Sequence, residues 1–141
     1  MKLGVALIRT VSPIYIYLRI HIDIQTYTVE IRTDVKLGMQ GKMYRARFWN
    51  DEFFTAIEDL REALKREGSG KTESETALRW MMHHSQLKRE FGDKVIIGAS
   101  SKQQLEMNLK DFEKGALAEE VVQVLEKGWI GTRGVAWKYF H

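Results

Sequence analysis

The chain has 141 residues, 44% hydrophobic and 29% charged, with 22 basic against 19 acidic side chains and a net charge of +3. That length suits one domain with one core, and the composition is that of a globular protein: no apolar run approaches the roughly 20 residues of a membrane-spanning helix. The absence of cysteine excludes disulfides, thiolate metal sites and thiol catalysis, and the interspersed charges leave no basic block to serve as a nucleic-acid footprint.

The opening, Met1 to Ile8, has the apolar texture of a signal peptide, but Arg9 cuts it short and no small-x-small cleavage site follows. The expected setting is therefore cytoplasmic. Residues 14–24 are dense in β-branched and aromatic side chains, and their second half alternates apolar with polar, as does Tyr27 to Arg32. Two strands are expected, paired as a hairpin around Gln25 and Thr26. Pro13, the single proline, opens the first of them with a turn. His21 and Asp23 share the polar face of that strand, where two groups without a third nearby read as a solvated face rather than a metal site.

From Asn50 the pattern becomes helical. Asn50 stands as N-cap before Asp51 and Glu52, Phe53, Ile57, Leu60 and Leu64 form an apolar stripe, and Gly68 ends a helix over 50–67. Thr72 with Glu75 forms a capping box that opens a second helix over 73–84. His83 and His84 point about 100° apart on a helix, so they do not clasp one ion as an i, i+4 pair does. One is expected to line the core and the other to face solvent.

Residues 94–98 are apolar without alternation, as expected of a parallel strand covered on both faces. The small residues Gly98, Ala99, Ser100 and Ser101 follow, and a helix over 101–113 starts there, with Leu105, Leu109 and Phe112 on one side and Gln104, Asn108 and Asp111 on another. A strand, a small-residue turn and hydroxyl groups at a helix start form a phosphate site in outline. The same residues also make a plain capping box, Ser101 with Gln104. Gly115 closes this helix, and a last one, over 117–127, buries Val121, Val122, Val124 and Leu125 before stopping at Gly128. Helix, strand, helix, helix is α/β wiring rather than a closed domain.

The run Ala77-Leu78-Arg79-Trp80-Met81-Met82-His83-His84-Ser85-Gln86-Leu87, followed by Gly98-Ala99-Ser100-Ser101 with Gln104-Leu105 and Asn108, and the Tyr139-Phe140 ending, resembles the carboxyl-terminal part of aldo-keto reductases, in particular the aflatoxin-aldehyde reductase branch. The resemblance covers residues 38–141. It implies an α/β fold that is the carboxyl-terminal fragment of an NADP-dependent (β/α)8 TIM barrel, with residues 94–98 as its eighth strand. It further implies that the loop and helix after that strand bind the adenosine end of NADP(H), including its 2′-phosphate. By position these residues are Ser100, Ser101, Lys102, Gln103, Gln104, Leu105, Glu106, Met107 and Asn108. The family's last residue reaches the pocket of a small carbonyl substrate, and His141 holds that place where relatives carry Arg.

The family's catalytic Asp, Tyr, Lys and His lie on the first half of the barrel, to which no segment of this chain corresponds. Tyr15, Tyr17 and Tyr27 lack the family's Tyr motif and are not assigned as the acid. The chain accordingly divides into a β-rich leader, 1–36, without family resemblance, and a partial reductase domain, 37–141, and the simplest account is a truncated or misassembled gene product. Nucleic-acid and membrane partners are not expected. A different class of function is a non-catalytic interaction protein, which would use an exposed sheet edge and the uncovered helix faces of Phe53, Ile57 and Trp80 to form a discrete homo-oligomer or pair with a partner chain, whereas aggregation through those faces would mark a broken fragment.

Overall fold

Asn50 starts α1 (Asp51–Glu67) by accepting the Phe53 N–H on its side-chain oxygen at 3.1 Å. Asp51 and Glu52 face the positive end of the helix dipole, and Lys65 and Arg66 face the negative end. At the other end Gly68 adopts φ +69°, the left-handed conformation that glycine takes without a Cβ penalty, and its N–H donates to the Leu64 and Lys65 carbonyls. The computed structural model describes residues 42, 45, 46, 48–95, 97, 99 and 101–136.

Among the described residues α2 (Glu73–His83), α3 (Lys102–Phe112) and α4 (Glu119–Thr132) follow, with a 3-10 turn at Arg89–Phe91. Thr72 caps α2 by accepting the Glu75 N–H on Oγ1 at 3.1 Å. The reciprocal half of the expected capping box is not used, because the Glu75 carboxylate is engaged by Arg79 and Lys114 instead.

The core lies where α1 packs on α4, with α2 against it. Phe53, Ile57, Leu60 and Leu64 of α1 meet Ala77 and Trp80 of α2 and Leu117, Val121 and Leu125, and Phe48 adds an edge-to-face ring contact to Phe53 at 5.9 Å. The faces expected to lie uncovered are therefore inside: Phe53, Ile57 and Trp80 are 0%, 2% and 6% exposed. The α4 helix supplies the cover. Its seat is also fixed by ion pairs to α1, Arg66 to Glu120 at 3.2 Å and Lys127 to Asp59 at 2.9 Å.

Two helix ends differ from the sequence expectation. The α4 helix does not stop at Gly128 but runs through it to Thr132, whose hydroxyl donates back to the Gly128 carbonyl at 2.9 Å; burial of Gly128 and Thr132 outweighs the roughly 1 kcal/mol helix penalty of glycine. The α3 helix ends at Phe112 with Glu113 as its C-cap, so Gly115 lies beyond it in the connector to α4.

The sequence left open which side of α3 faces inward. Its one buried residue is Asn108, at 8% exposure, whereas Leu105, Met107 and Leu109 are exposed, Leu109 at 51%. This helix packs on α2. It turns Gln104, Asn108, Asp111 and Phe112 toward the protein, so the inward side is mainly the polar one and Phe112 parts from Leu105 and Leu109, with which its spacing had grouped it.

Among the described residues there is no strand. Lys94, Val95 and Ile97 are irregular, with Val95 and Ile97 half-buried. A parallel strand is completed by its neighbours' hydrogen bonds, and the described residues offer none beside it. The two strands expected within 14–32 lie outside the described residues, as do Ile96, Gly98, Ser100 and the tail from Trp137 to His141.

Candidate functional site

The stretch singled out in the sequence enters α3 through Ser101, whose backbone is extended (φ −148°, ψ 160°) and whose Oγ accepts the Gln104 N–H at 3.1 Å. Capping therefore occurs as the sequence implies. It uses one of the N–H groups that a helix start leaves without intrahelical partners, and those of Lys102 and Gln103 project from the same end. This first turn carries no acidic residue, whereas α1, α2 and α4 each begin with two. Lys102 is exposed beside it and pairs only loosely with Glu106, at 3.6 Å. The end of α3 thus combines outward donors, the positive pole of the helix and one exposed cation.

The remaining predicted residues divide by face. Gln103, Leu105, Glu106 and Met107 are exposed, Gln104 is half-buried and Asn108 is buried against the protein. Gln104 and Asn108 do share a face, as their spacing implies, and that face is the one turned to α2. Ser100 and His141 lie outside the described residues.

A second polar constellation, unassigned from sequence, joins α2 to the connector between α3 and α4. Glu75 accepts from Arg79 at 2.8 Å and from Lys114 at 2.6 Å, and Lys114 also reaches Asp111 at 2.9 Å. Arg79 goes on to donate to the Gly115 carbonyl at 2.7 Å and the Ala116 carbonyl at 2.8 Å. Burial by itself raises the Glu75 carboxyl, but the bonds from Lys114 and Arg79 outweigh it and hold the group below its ordinary value; the same contacts, led by Glu75, raise Lys114. The i, i+4 spacing of Glu75 and Arg79 is readable in the sequence. Their reach to Lys114 and the connector carbonyls is not, because it depends on loop backbone 35 or more residues away.

The paired histidines also act here. His83 is exposed and bonds the Lys114 carbonyl through Nε2 at 2.7 Å, while His84 is half-buried and accepts the Leu117 N–H on Nε2 at 3.0 Å. Burial pushes His84 below its ordinary value, and His83 and Arg79 act in the same direction against Glu119. Among the described residues no group of three or more His, Asp or Glu side chains is placed to hold a metal ion, and no described helix is long and apolar enough to cross a membrane.

The model of the aldo/keto reductase family matches residues 24–130, three quarters of the chain. The chain belongs to the aldo/keto reductase family. It is 44% identical over 97 residues to an aldo-keto reductase of Pseudocercospora fijiensis, covering 69% of this chain and 32% of that protein. It is 40% identical over 101 residues to the aldo-keto reductase pigE of Monascus ruber, covering 72% and 29%. To aflatoxin B1 aldehyde reductase member 2 of Rattus norvegicus it is 47% identical over 91 residues, 63% of this chain and 25% of that one. The chain thus spans a third or less of the length of these curated relatives.

The aldo/keto reductase match is with the family read from the Ala77 to Leu87 run and the 95–108 stretch. Its first matched residue, 24, falls within the segment 1–36 that the sequence reading set apart. Membership implies the (β/α)8 barrel as the family's fold and an oxidoreductase as its general activity.

Proposed function

We propose that this chain supplies the adenosine-side segment of an NADP(H) site in the reduction of small aldehydes or ketones to alcohols, and that it carries no catalytic Asp/Tyr/Lys/His set of its own. The observation that supports the reading is the start of α3: a Ser101 cap, outward N–H groups on Lys102 and Gln103, no carboxylate in the first turn, and an exposed Lys102. Those residues fit a phosphate dianion, which gains charge-assisted bonds from N–H donors and from lysine. Ser100 and Ser101 would contribute hydroxyls and Lys102 charge, whereas Asn108, expected from the resemblance to meet the base, is buried against the protein and is left out of the proposed contact. His141 is assigned to the substrate end and the setting to the cytoplasm, both from the family.

When bound, the cofactor supplies a hydride from its nicotinamide end. Ser100, Ser101 and Lys102 would hold only the opposite end, and the reading assigns no residue of this chain to protonate a carbonyl. Purified chain mixed with NADPH and a nitrobenzaldehyde is therefore expected to leave the nicotinamide absorbance unchanged. Sustained turnover that co-purifies with the chain would overturn the assignment of no tetrad. The interaction-protein reading loses the support of Phe53, Ile57 and Trp80, which are buried.

A further inference from the structure

The connector from α3 to α4 is held on α2 by side chains reaching four consecutive residues. His83 meets the Lys114 carbonyl, Arg79 meets the Gly115 and Ala116 carbonyls, and His84 meets the Leu117 N–H. The last bond differs from the others in polarity. Arg79 donates at any accessible pH, and His83 donates from Nε2–H either as one neutral tautomer or as imidazolium. His84 is the acceptor, and an imidazole accepts on Nε2 only while that nitrogen is unprotonated. Leu117 is a buried member of the core, so its N–H has little access to water once the bond is lost.

The charged groups around His84 bear on its protonation from three sides. His83 and Arg79 on α2 oppose a second positive charge, Glu119 at the start of α4 favours one, and Lys114 of the connector is already paired with Glu75 and Asp111. Neutral His84 is thus the form that matches both the hydrogen bond and the local charge balance.

We propose that the 113–118 connector is a pH-gated latch, seated on α2 while His84 accepts from Leu117 and released locally when His84 takes up a proton. His83 is not the gate, because its bond survives protonation. The inference is independent of the cofactor reading, since it needs only the seating of the connector.

The test is amide hydrogen exchange on the full chain, followed by NMR from pH 8 to pH 5 and expressed as protection factors, alongside the ring-nitrogen shifts of His84. The expected result is that Leu117 protection falls by about tenfold, the order of one lost hydrogen bond, in step with His84 protonation. Replacing His84→Gln, which places a non-titrating oxygen at a similar reach, should leave Leu117 protected and pH-independent, while His83→Gln should retain the wild-type response. Constant Leu117 protection in the wild type while His84 protonates would overturn the latch, as would the same fall in His84→Gln. The wild-type titration decides the matter even where a variant fails to fold.

Discussion

Replacing Glu75 by Gln isolates the charge at the centre of the α2 clamp while keeping its size. The carboxylate is 13% exposed and bonds Arg79, itself 12% exposed, at 2.8 Å, and Lys114 at 2.6 Å. Exposed ion pairs contribute about 0–1 kcal/mol and breaking a buried one costs about 3–5 kcal/mol. Glu75 and Arg79 lie between those limits, and Arg79 keeps its two carbonyl acceptors after the change. A loss of about 2 kcal/mol follows, with Lys114 contributing little because it is largely exposed. With a urea slope of about 2 kcal/mol/M, the unfolding midpoint should fall by about 1 M at neutral pH.

The pH dependence of that difference has a definite sign. The folded-state carboxyl titrates below its ordinary value, so its stabilisation is complete above the unfolded-state value. It is lost as the pH falls from there through the folded-state value, because the unfolded chain takes up the proton first. Wild type and Glu75→Gln should therefore converge below about pH 4. The assay is urea unfolding followed by circular dichroism at stepped pH. Equal midpoints at neutral pH, or a gap that persists undiminished in acid, would refute the reasoning.

Two further substitutions separate the core from the outer face of α3. Leu60→Ala removes a side chain that is buried between α1 and its partners and should cost about 3 kcal/mol in the same unfolding assay. Leu109→Gln, on the exposed side of α3, should change stability by less than about 0.5 kcal/mol; a loss comparable to that of Leu60→Ala would mean that α3 is seated the other way round.

Helix α1 was legible in full, because its cap, its stripe and its glycine stop are local signals that agree with one another: Asn50, then Phe53, Ile57, Leu60 and Leu64, then Gly68. The start of α3 was legible for the same reason, since Ser101 caps it within three residues. Its orientation was not. Leu105 and Leu109 form half of an apolar stripe, but Lys114, which Glu75 of the partner helix binds, also pairs with Asp111 on the polar side of α3, a link that spans the two helices and that no local pattern shows. Gly128 misled for a related reason: a stop signal worth about 1 kcal/mol yields to the packing of a whole helix. The cover over Phe53 and Trp80 and the latch on Leu117 are long-range contacts, which no window of sequence contains.

The central claim is tested most directly by calorimetric titration of the full chain with 2′,5′-ADP and, in parallel, with 5′-AMP. The account predicts weak binding of 2′,5′-ADP, weaker binding of 5′-AMP, and loss of that preference in the double variant Ser100→Ala, Lys102→Ala, with a steep dependence on salt because the contact is a phosphate. Equal affinity for the two nucleotides, or a preference that survives the double substitution, would contradict it.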